Sequence, residues 1–253
     1  VLRSRIIPCL LIHDGGLVKT EKFKMGKYVG DPLNAVKIYN EKQVDELLLL
    51  DIDATVKGRE PDFARLRSIA VESRMPLCYG GGVTSAEQAA RIVGLGFEKV
   101  SVSAAALARP QLIREMATAV GSQSVVVTID VKKNAMLPGH TVYTHNGRIK
   151  QSVSLTNFMR QATELGAGEI VINSIDRDGT MTGYDLDLAR QARAVVDLPL
   201  SFVGGAGSID DIQGLIDTVG VVGAGAGSLF VFKGPYRAVL INYGRPERLV
   251  PPK

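Results

Sequence analysis

Long apolar runs, clustered charge and a cysteine framework are all missing from these 253 residues. The longest apolar stretch, Val219 to Phe232, is diluted by glycine and falls short of the ~18 residues that a membrane-spanning helix needs. The apolar segment Ile6 to Ile12 follows Arg3 and Arg5, yet it contains Pro8 and runs into His13-Asp14. With no small-residue cleavage site it does not read as a signal peptide. Two cysteines in so long a chain cannot build a disulfide framework, which points to a reducing, cytosolic setting. His13, His140 and His145 lack ligand spacing and the cysteines sit apart, so neither a metal nor another cofactor is expected.

Charge of one sign is also scarce. The 30 basic and 26 acidic residues leave a formal charge of +4, and with 45% apolar residues this excludes intrinsic disorder. A pI near 9.0 invites a nucleic-acid reading, but the basic residues are scattered and no basic cluster carries interleaved aromatics. The densest basic stretch, Lys19 to Lys27, fits a solvated loop or a site for small phosphorylated compounds. Glycine is abundant, 27 of 253 residues against the ~7% usual for proteins, without the triplet period of collagen.

Short aliphatic runs alternate with longer segments of helical period, the pattern of a parallel α/β architecture. Strands are predicted at Arg5–Leu11, Glu46–Ile52, Pro76–Gly80, Lys99–Ser103, Ser124–Asp130, Glu169–Ser174, Pro199–Val203 and Val221–Ala226. Helices are predicted at Pro32–Val44, Asp62–Ser73, Ser85–Leu95, Pro110–Val120, Leu155–Leu165, Leu186–Val196 and Ile209–Val219. Two connections are long: His13–Gly30, and Val131–Ser152, which fits a hairpin turning at Asn146-Gly147. Eight such units in ~250 residues have the size of a (β/α)8 TIM barrel.

A repeat strengthens the barrel. Asp45–Asp62 resembles Gly168–Asp185, and Pro76–Gln88 resembles Pro199–Asp211, both at an offset of 123 residues. That period fits one domain over 1–253 made of two half-barrels, about 1–122 and 123–253.

In such barrels the chemistry sits at the C-terminal ends of the strands. Gly80-Gly81-Gly82 and Gly204-Gly205-Ala206-Gly207 occupy equivalent places in the repeat, each just before a helix, near Ser85 and Ser208. Bare N–H groups beside a helix start favour phosphate oxygens, so a substrate with a phosphate at each end is expected. Ser103 and Ser228, at the ends of the fourth and eighth strands, are placed to donate hydroxyls to the same anions. Asp51, Asp53, Asp130, Asp176 and Asp178 are the acid–base candidates. Asp130 stands out because it ends a strongly apolar strand, where partial burial raises a carboxyl pKa towards a useful range. Capping, or a salt bridge from Asp130 to Lys132 or Lys19, is the structural alternative. Arg5, Glu46, Lys99 and Glu169 each start a strand. Taken alone they read as solvated strand ends, although pointing inward they would form a ring of alternating charge.

Several motifs together resemble a known family. RIIPCL (Arg5–Leu10), LVKT (Leu17–Thr20), GDP (Gly30–Pro32), DELLLLDIDA (Asp45–Ala54), YGGGV (Tyr79–Val83), GSQSVVVTID (Gly121–Asp130), NSIDRDGTMTGYD (Asn173–Asp185) and GGAG (Gly204–Gly207) are similar to the cyclase subunit of imidazole glycerol phosphate synthase. The resemblance covers essentially the whole chain. It implies a (β/α)8 barrel paired with a glutaminase subunit as a heterodimer, with no nucleic acid or membrane partner. Ammonia from the partner would cross the barrel floor to a bisphosphorylated ribotide, phosphoribulosyl-formimino aminoimidazole carboxamide ribotide. The products would be imidazole glycerol phosphate and aminoimidazole carboxamide ribotide.

Carried over by position, the resemblance makes Asp130 catalytic and Lys19 the lysine of the first loop. It places Asp51, Gly81, Gly82, Ser103, Asn173, Asp178, Gly204, Gly205 and Ser228 around substrate and phosphates. Arg5, Glu46, Lys99 and Glu169 become the ammonia gate. Two departures stand out. Leu11 occupies the place of the family's other catalytic aspartate, and Ser103-Ala104 stand where Asn-Thr is usual. The resemblance to members with the PCLL start implies an alternative, channelled ammonia used to form amidino sugars for surface polysaccharides. A barrel that only activates a glutaminase is a third reading.

Overall fold

The computed structural model describes residues 2–136 and 138–251. In chain order the elements are β1 (Arg5–His13), β2 (Gly16–Glu21), β3 (Lys24–Gly30), α1 (Pro32–Glu41), β4 (Leu47–Asp51), α2 (Phe63–Glu72), β5 (Leu77–Gly80) and α3 (Ala86–Gly94). They continue with β6 (Lys99–Val102), α4 (Ala104–Ala108), α5 (Gln111–Val120), β7 (Val125–Lys133), β8 (His140–Thr144), β9 (Ile149–Ser154), α6 (Leu155–Glu164) and β10 (Glu169–Ser174). The last are α7 (Leu186–Arg193), β11 (Leu200–Val203), α8 (Ile209–Val219), β12 (Gly223–Ala226) and α9 (Ser228–Val231), before a short β13–β14 ribbon at Phe232–Lys233 and Ala238–Val239.

Eight parallel strands close on themselves in the order β1, β4, β5, β6, β7, β10, β11, β12 and back to β1. This is the expected (β/α)8 barrel. Helix starts follow local chemistry: Asp31, Asp62, Ser85, Ser154, Asp185 and Ser208 each accept a hydrogen bond from the amide three residues on. The helices bury one face against the outside of the barrel, where most of the core lies. A second, smaller cluster fills the inside: Ile7, Cys9, Leu48, Cys78, Val126, Val171 and Val203, with Leu11 and Leu50 packed on it. Both cysteines are free and buried. Among the described residues, no helix is long and apolar enough to cross a membrane.

Two antiparallel hairpins rise from the C-terminal ends of the strands. The predicted one is β8–β9, an extension of β7 that pairs Asp130 with Tyr143. The other was unexpected. The connection His13–Gly30, read as a loop, folds as β2–β3 and lengthens β1 through the pairs Leu11–Val18 and Ile12–Leu17.

Candidate active site

Side chains alternate along a strand with a period of two. On β1 this sets Arg5, Ile7, Cys9 and Leu11 along one face, from the floor of the barrel to its mouth. At the floor, Arg5, Glu46, Lys99 and Glu169 are not solvated strand ends. Arg5 Nη1 donates to Glu46, and Arg5 Nη2 donates to Glu169 Oε1 at 2.8 Å. Lys99 Nζ donates to Glu46 Oε2 and to Glu169 Oε2, both at 2.9 Å. Ser201 Oγ adds a bond to Glu169 Oε1 at 2.5 Å. The result is a closed ring of alternating charge. Burial alone would raise Glu169, but Arg5 and Lys99 hold it below the usual carboxylate range. Lys99 is correspondingly raised, its two glutamates outweighing desolvation. Above the ring is a void of about 10 Å³, lined by Ile7, Leu48, Cys78, Val126 and Val171 among others.

At the opposite end the strand termini enclose a cavity of about 520 Å³. Every residue expected around substrate lines it: Leu11, Lys19, Asp51, Gly81, Gly82, Ser103, Asp130, Asn173, Asp178, Gly204, Gly205 and Ser228. Asp130 accepts a hydrogen bond from Asn173 Nδ2 at 3.1 Å, and neither Lys132 nor Lys19 pairs with it. Burial, helped by the negative charge of Asp178, pushes its carboxyl up to about 7, so at neutral pH it both gives and takes protons. Leu11 faces the same cavity with methyl groups only.

Lys19 differs from its expected setting. It lies on strand β2, buried, and its Nζ donates to the Cys9 carbonyl. Desolvation lowers its pKa. The hairpin carrying it is pinned by Asp178, whose Oδ2 accepts from Thr20 Oγ1 at 2.6 Å and from the Phe23 amide at 3.1 Å. Burial raises the Asp178 carboxyl in turn. Asp51 lines the cavity but also turns its own loop, accepting from the amides of Asp53 and Ala54.

Two acid–base candidates fall outside the cavity. Asp176 accepts from the Lys133 amide at 2.6 Å and holds the end of β7. Asp53 joins His13 and Asp14, residues 40 and 39 positions away, in a cluster whose ligand atoms lie within 4.8 Å of one another. Spacing along the chain hid that cluster. Lys57 Nζ already binds it, 2.6 Å from Asp14 and 3.0 Å from Asp53, so an ammonium stands where a cation would go.

The starts of α3 and α8 are satisfied by Ser85 and Ser208, the latter in a full capping box with Asp211. Two short helices too brief for a helical period to register also start at the cavity. These are α4, starting after Ser103, and α9, starting at Ser228, neither with a side-chain cap. At the ends of the neighbouring strands β5 and β11 stand Gly81–Gly82 and Gly204–Gly205, all with positive φ. Gly205 has no room for a side chain, since a Cβ there would lie 2.1 Å from the Gly183 carbonyl oxygen. Ser228 Oγ and Asn173 Oδ1 are buried polar atoms without a protein partner, and both residues line the cavity. A water or a ligand atom in the cavity can supply the missing bond to each. Thr20, Phe23, His145 and Asn146 complete the mouth and come from the two hairpins.

A family model described as histidine biosynthesis protein matches residues 5–236. The chain is 58% identical over 98% of its length, and 95% of the relative's, to "Putative imidazole glycerol phosphate synthase subunit hisF3" of Vibrio vulnificus (strain YJ016). It is 51% identical over 98% of its length, and 97% of the relative's, to "Putative imidazole glycerol phosphate synthase subunit HisF" of Leptospira interrogans. Against "Imidazole glycerol phosphate synthase subunit HisF" of Streptococcus mutans serotype c (strain ATCC 700610 / UA159) the identity is 39%, over 91% of each chain.

Proposed function

The chain belongs to the histidine biosynthesis protein family, and we propose that it is the ammonia-using barrel subunit of an imidazole glycerol phosphate synthase. The observation that carries this reading is the placement of two features at the ends of one barrel. A closed ring of buried charge lies at the floor, and a carboxyl that titrates near neutrality lies in the cavity at the mouth. Ammonia from a glutaminase partner docked under the floor passes the ring formed by Arg5, Glu46, Lys99 and Glu169. It then crosses the apolar interior past Ile7, Leu48, Cys78, Val126 and Val171. The two phosphates of the ribotide sit on the glycine turns and short-helix starts, with Ser103 on one side and Ser228 on the other. Asp130 moves protons at the reacting atoms, and Lys19 supplies a buried amine beside them.

The test is turnover of phosphoribulosyl-formimino aminoimidazole carboxamide ribotide with ammonium salt, and with glutamine plus the glutaminase subunit. Formation of imidazole glycerol phosphate is expected, with Asp130→Asn lowering kcat by ~10²–10⁴. Turnover unchanged in Asp130→Asn would overturn the assignment of that residue.

Leu11 favours a second reading. Ring closure with C–N cleavage moves protons in two places, and a leucine moves none. In that reading the ring and channel are kept, and the ammonia serves amidino-sugar formation for surface polysaccharide. No turnover of the ribotide by the wild type, with cyclase activity gained in Leu11→Asp, is the result that selects it.

A further inference from the structure

The β8–β9 hairpin ends in three consecutive residues with positive φ: His145 (+53°), Asn146 (+57°) and Gly147 (+73°). Glycine tolerates this region freely, and asparagine and histidine adopt it more often than most residues, yet it still strains the backbone of a non-glycine residue. The strain is maintained by a specific anchor. The tip reaches from β7 across the barrel mouth, and Asn146 Nδ2 donates to the Ile52 carbonyl at 2.8 Å. Two strands separate β7 from β4 on one side of the barrel and four on the other, so the hairpin bridges the opening. Ile52 in turn donates its amide to the Ile12 carbonyl, one residue beyond Leu11. The strained tip is therefore tied to the wall where Leu11 offers no proton-exchanging group. Strain of this kind gathers at functional sites.

His145 is half-buried and lines the cavity together with Asp130 and Leu11. Its Nδ1 lies 3.0 Å from Thr144 Oγ1, a buried hydroxyl that also accepts from Gln151 Nε2 at 3.0 Å. The bond holds the ring in place, and because a hydroxyl both donates and accepts it is compatible with either imidazole tautomer.

We propose that His145 is a catalytic residue of the barrel, the proton partner of Asp130 on the side of the cavity occupied by Leu11. This rests on the imidazole glycerol phosphate synthase reading above. Ammonia adds through its lone pair to the ribulosyl carbonyl carbon as the π pair moves to oxygen. The nitrogen passes two protons to that oxygen, one of them through the His145 imidazole, and the oxygen leaves as water, so that C=N replaces C=O. The new nitrogen then bonds to the formimino carbon, and the bond from that carbon to the aminoimidazole nitrogen breaks. Its electron pair stays on the departing nitrogen, which takes the proton of Asp130, and the closing ring returns one proton to Asp130.

The decisive variant is His145→Gly in the full chain, because glycine adopts φ near +53° without strain and the hairpin keeps its shape. With ammonium salt and the bisphosphorylated ribotide, kcat is expected to fall ~10²-fold, with KM within a few-fold, and to recover in part when free imidazole is added. His145→Asn, which tolerates the same backbone and still reaches Thr144 but exchanges no protons, is expected to be equally slow. Wild-type kcat in either variant, or a loss confined to KM, overturns the assignment while leaving the wider reading standing. A wild type that does not turn the ribotide over overturns both.

Discussion

Replacing Asp130 by asparagine should make the protein more stable at pH 8, not less. The carboxyl titrates at about 7 in the folded state against 3.8 for the unreacted side chain, because burial penalises its charged form. A pKa raised by folding means that the native state holds the proton more tightly than the unfolded chain does. Stability from this group is therefore full below pH ~4 and is lost as pH rises to ~7. About three units at 1.36 kcal/mol each correspond to about 4 kcal/mol for a carboxyl sealed from water. Asp130 opens on a cavity, which reduces this to about 1–3 kcal/mol. Asparagine has the same shape, keeps an oxygen to accept from Asn173, and carries no charge to desolvate. Urea unfolding of both proteins between pH 4 and pH 8.5 measures the difference directly. Titrations common to both, including that of Asp178, cancel to first order. The variant should match the wild type near pH 4 and exceed it by about 1–3 kcal/mol above pH 7.5. A difference that does not change with pH, or a variant weaker than wild type at pH 8, would refute the assignment of a desolvated carboxyl.

Two further substitutions probe the floor and the mouth. Lys99→Met leaves Glu46 and Glu169 buried side by side with only Arg5 between them, so a loss of about 3–5 kcal/mol is expected in urea unfolding at pH 7. Glutamine-dependent turnover should fall more than turnover with ammonium salt, since the ring lies between the glutaminase and the cavity. Gly205→Ala puts a Cβ 2.1 Å from the Gly183 carbonyl oxygen at a φ of +113°, so either a loss above ~2 kcal/mol or insoluble protein is expected. Wild-type stability there would mean that the turn adjusts freely.

The barrel was legible because its strands are buried on both faces and read as short aliphatic runs, and all eight are found where those runs lie. Their ends shift for a reason that sequence periodicity does not carry. β1 continues to His13 because β2 folds back on it, and β7 continues to Lys133 because β8 does. The β2–β3 hairpin escaped notice because it turns at Lys22 and Phe23, both with positive φ, without the glycine or asparagine that usually signals such a turn. The helices α4 and α9 have only five and four residues, too few for a 3.6-residue period to register.

What the site shows about legibility is a matter of distance along the chain. Asp130 could be chosen because everything needed is local, an apolar run ending in an acid. The ring of Arg5, Glu46, Lys99 and Glu169 could not be told from solvated strand ends by local chemistry, since its members come from four strands and pair only once the barrel closes. His145 is the sharpest case. The Asn146-Gly147 turn was readable and placed the histidine at a hairpin tip, but nothing local says that the tip crosses the mouth to Ile52. Leu11 is the converse: its identity is plain in the sequence, and its meaning depends on what faces it across the cavity. If the imidazole of His145 supplies the proton exchange that Leu11 cannot, the substitution changes the geometry of the chemistry without removing it.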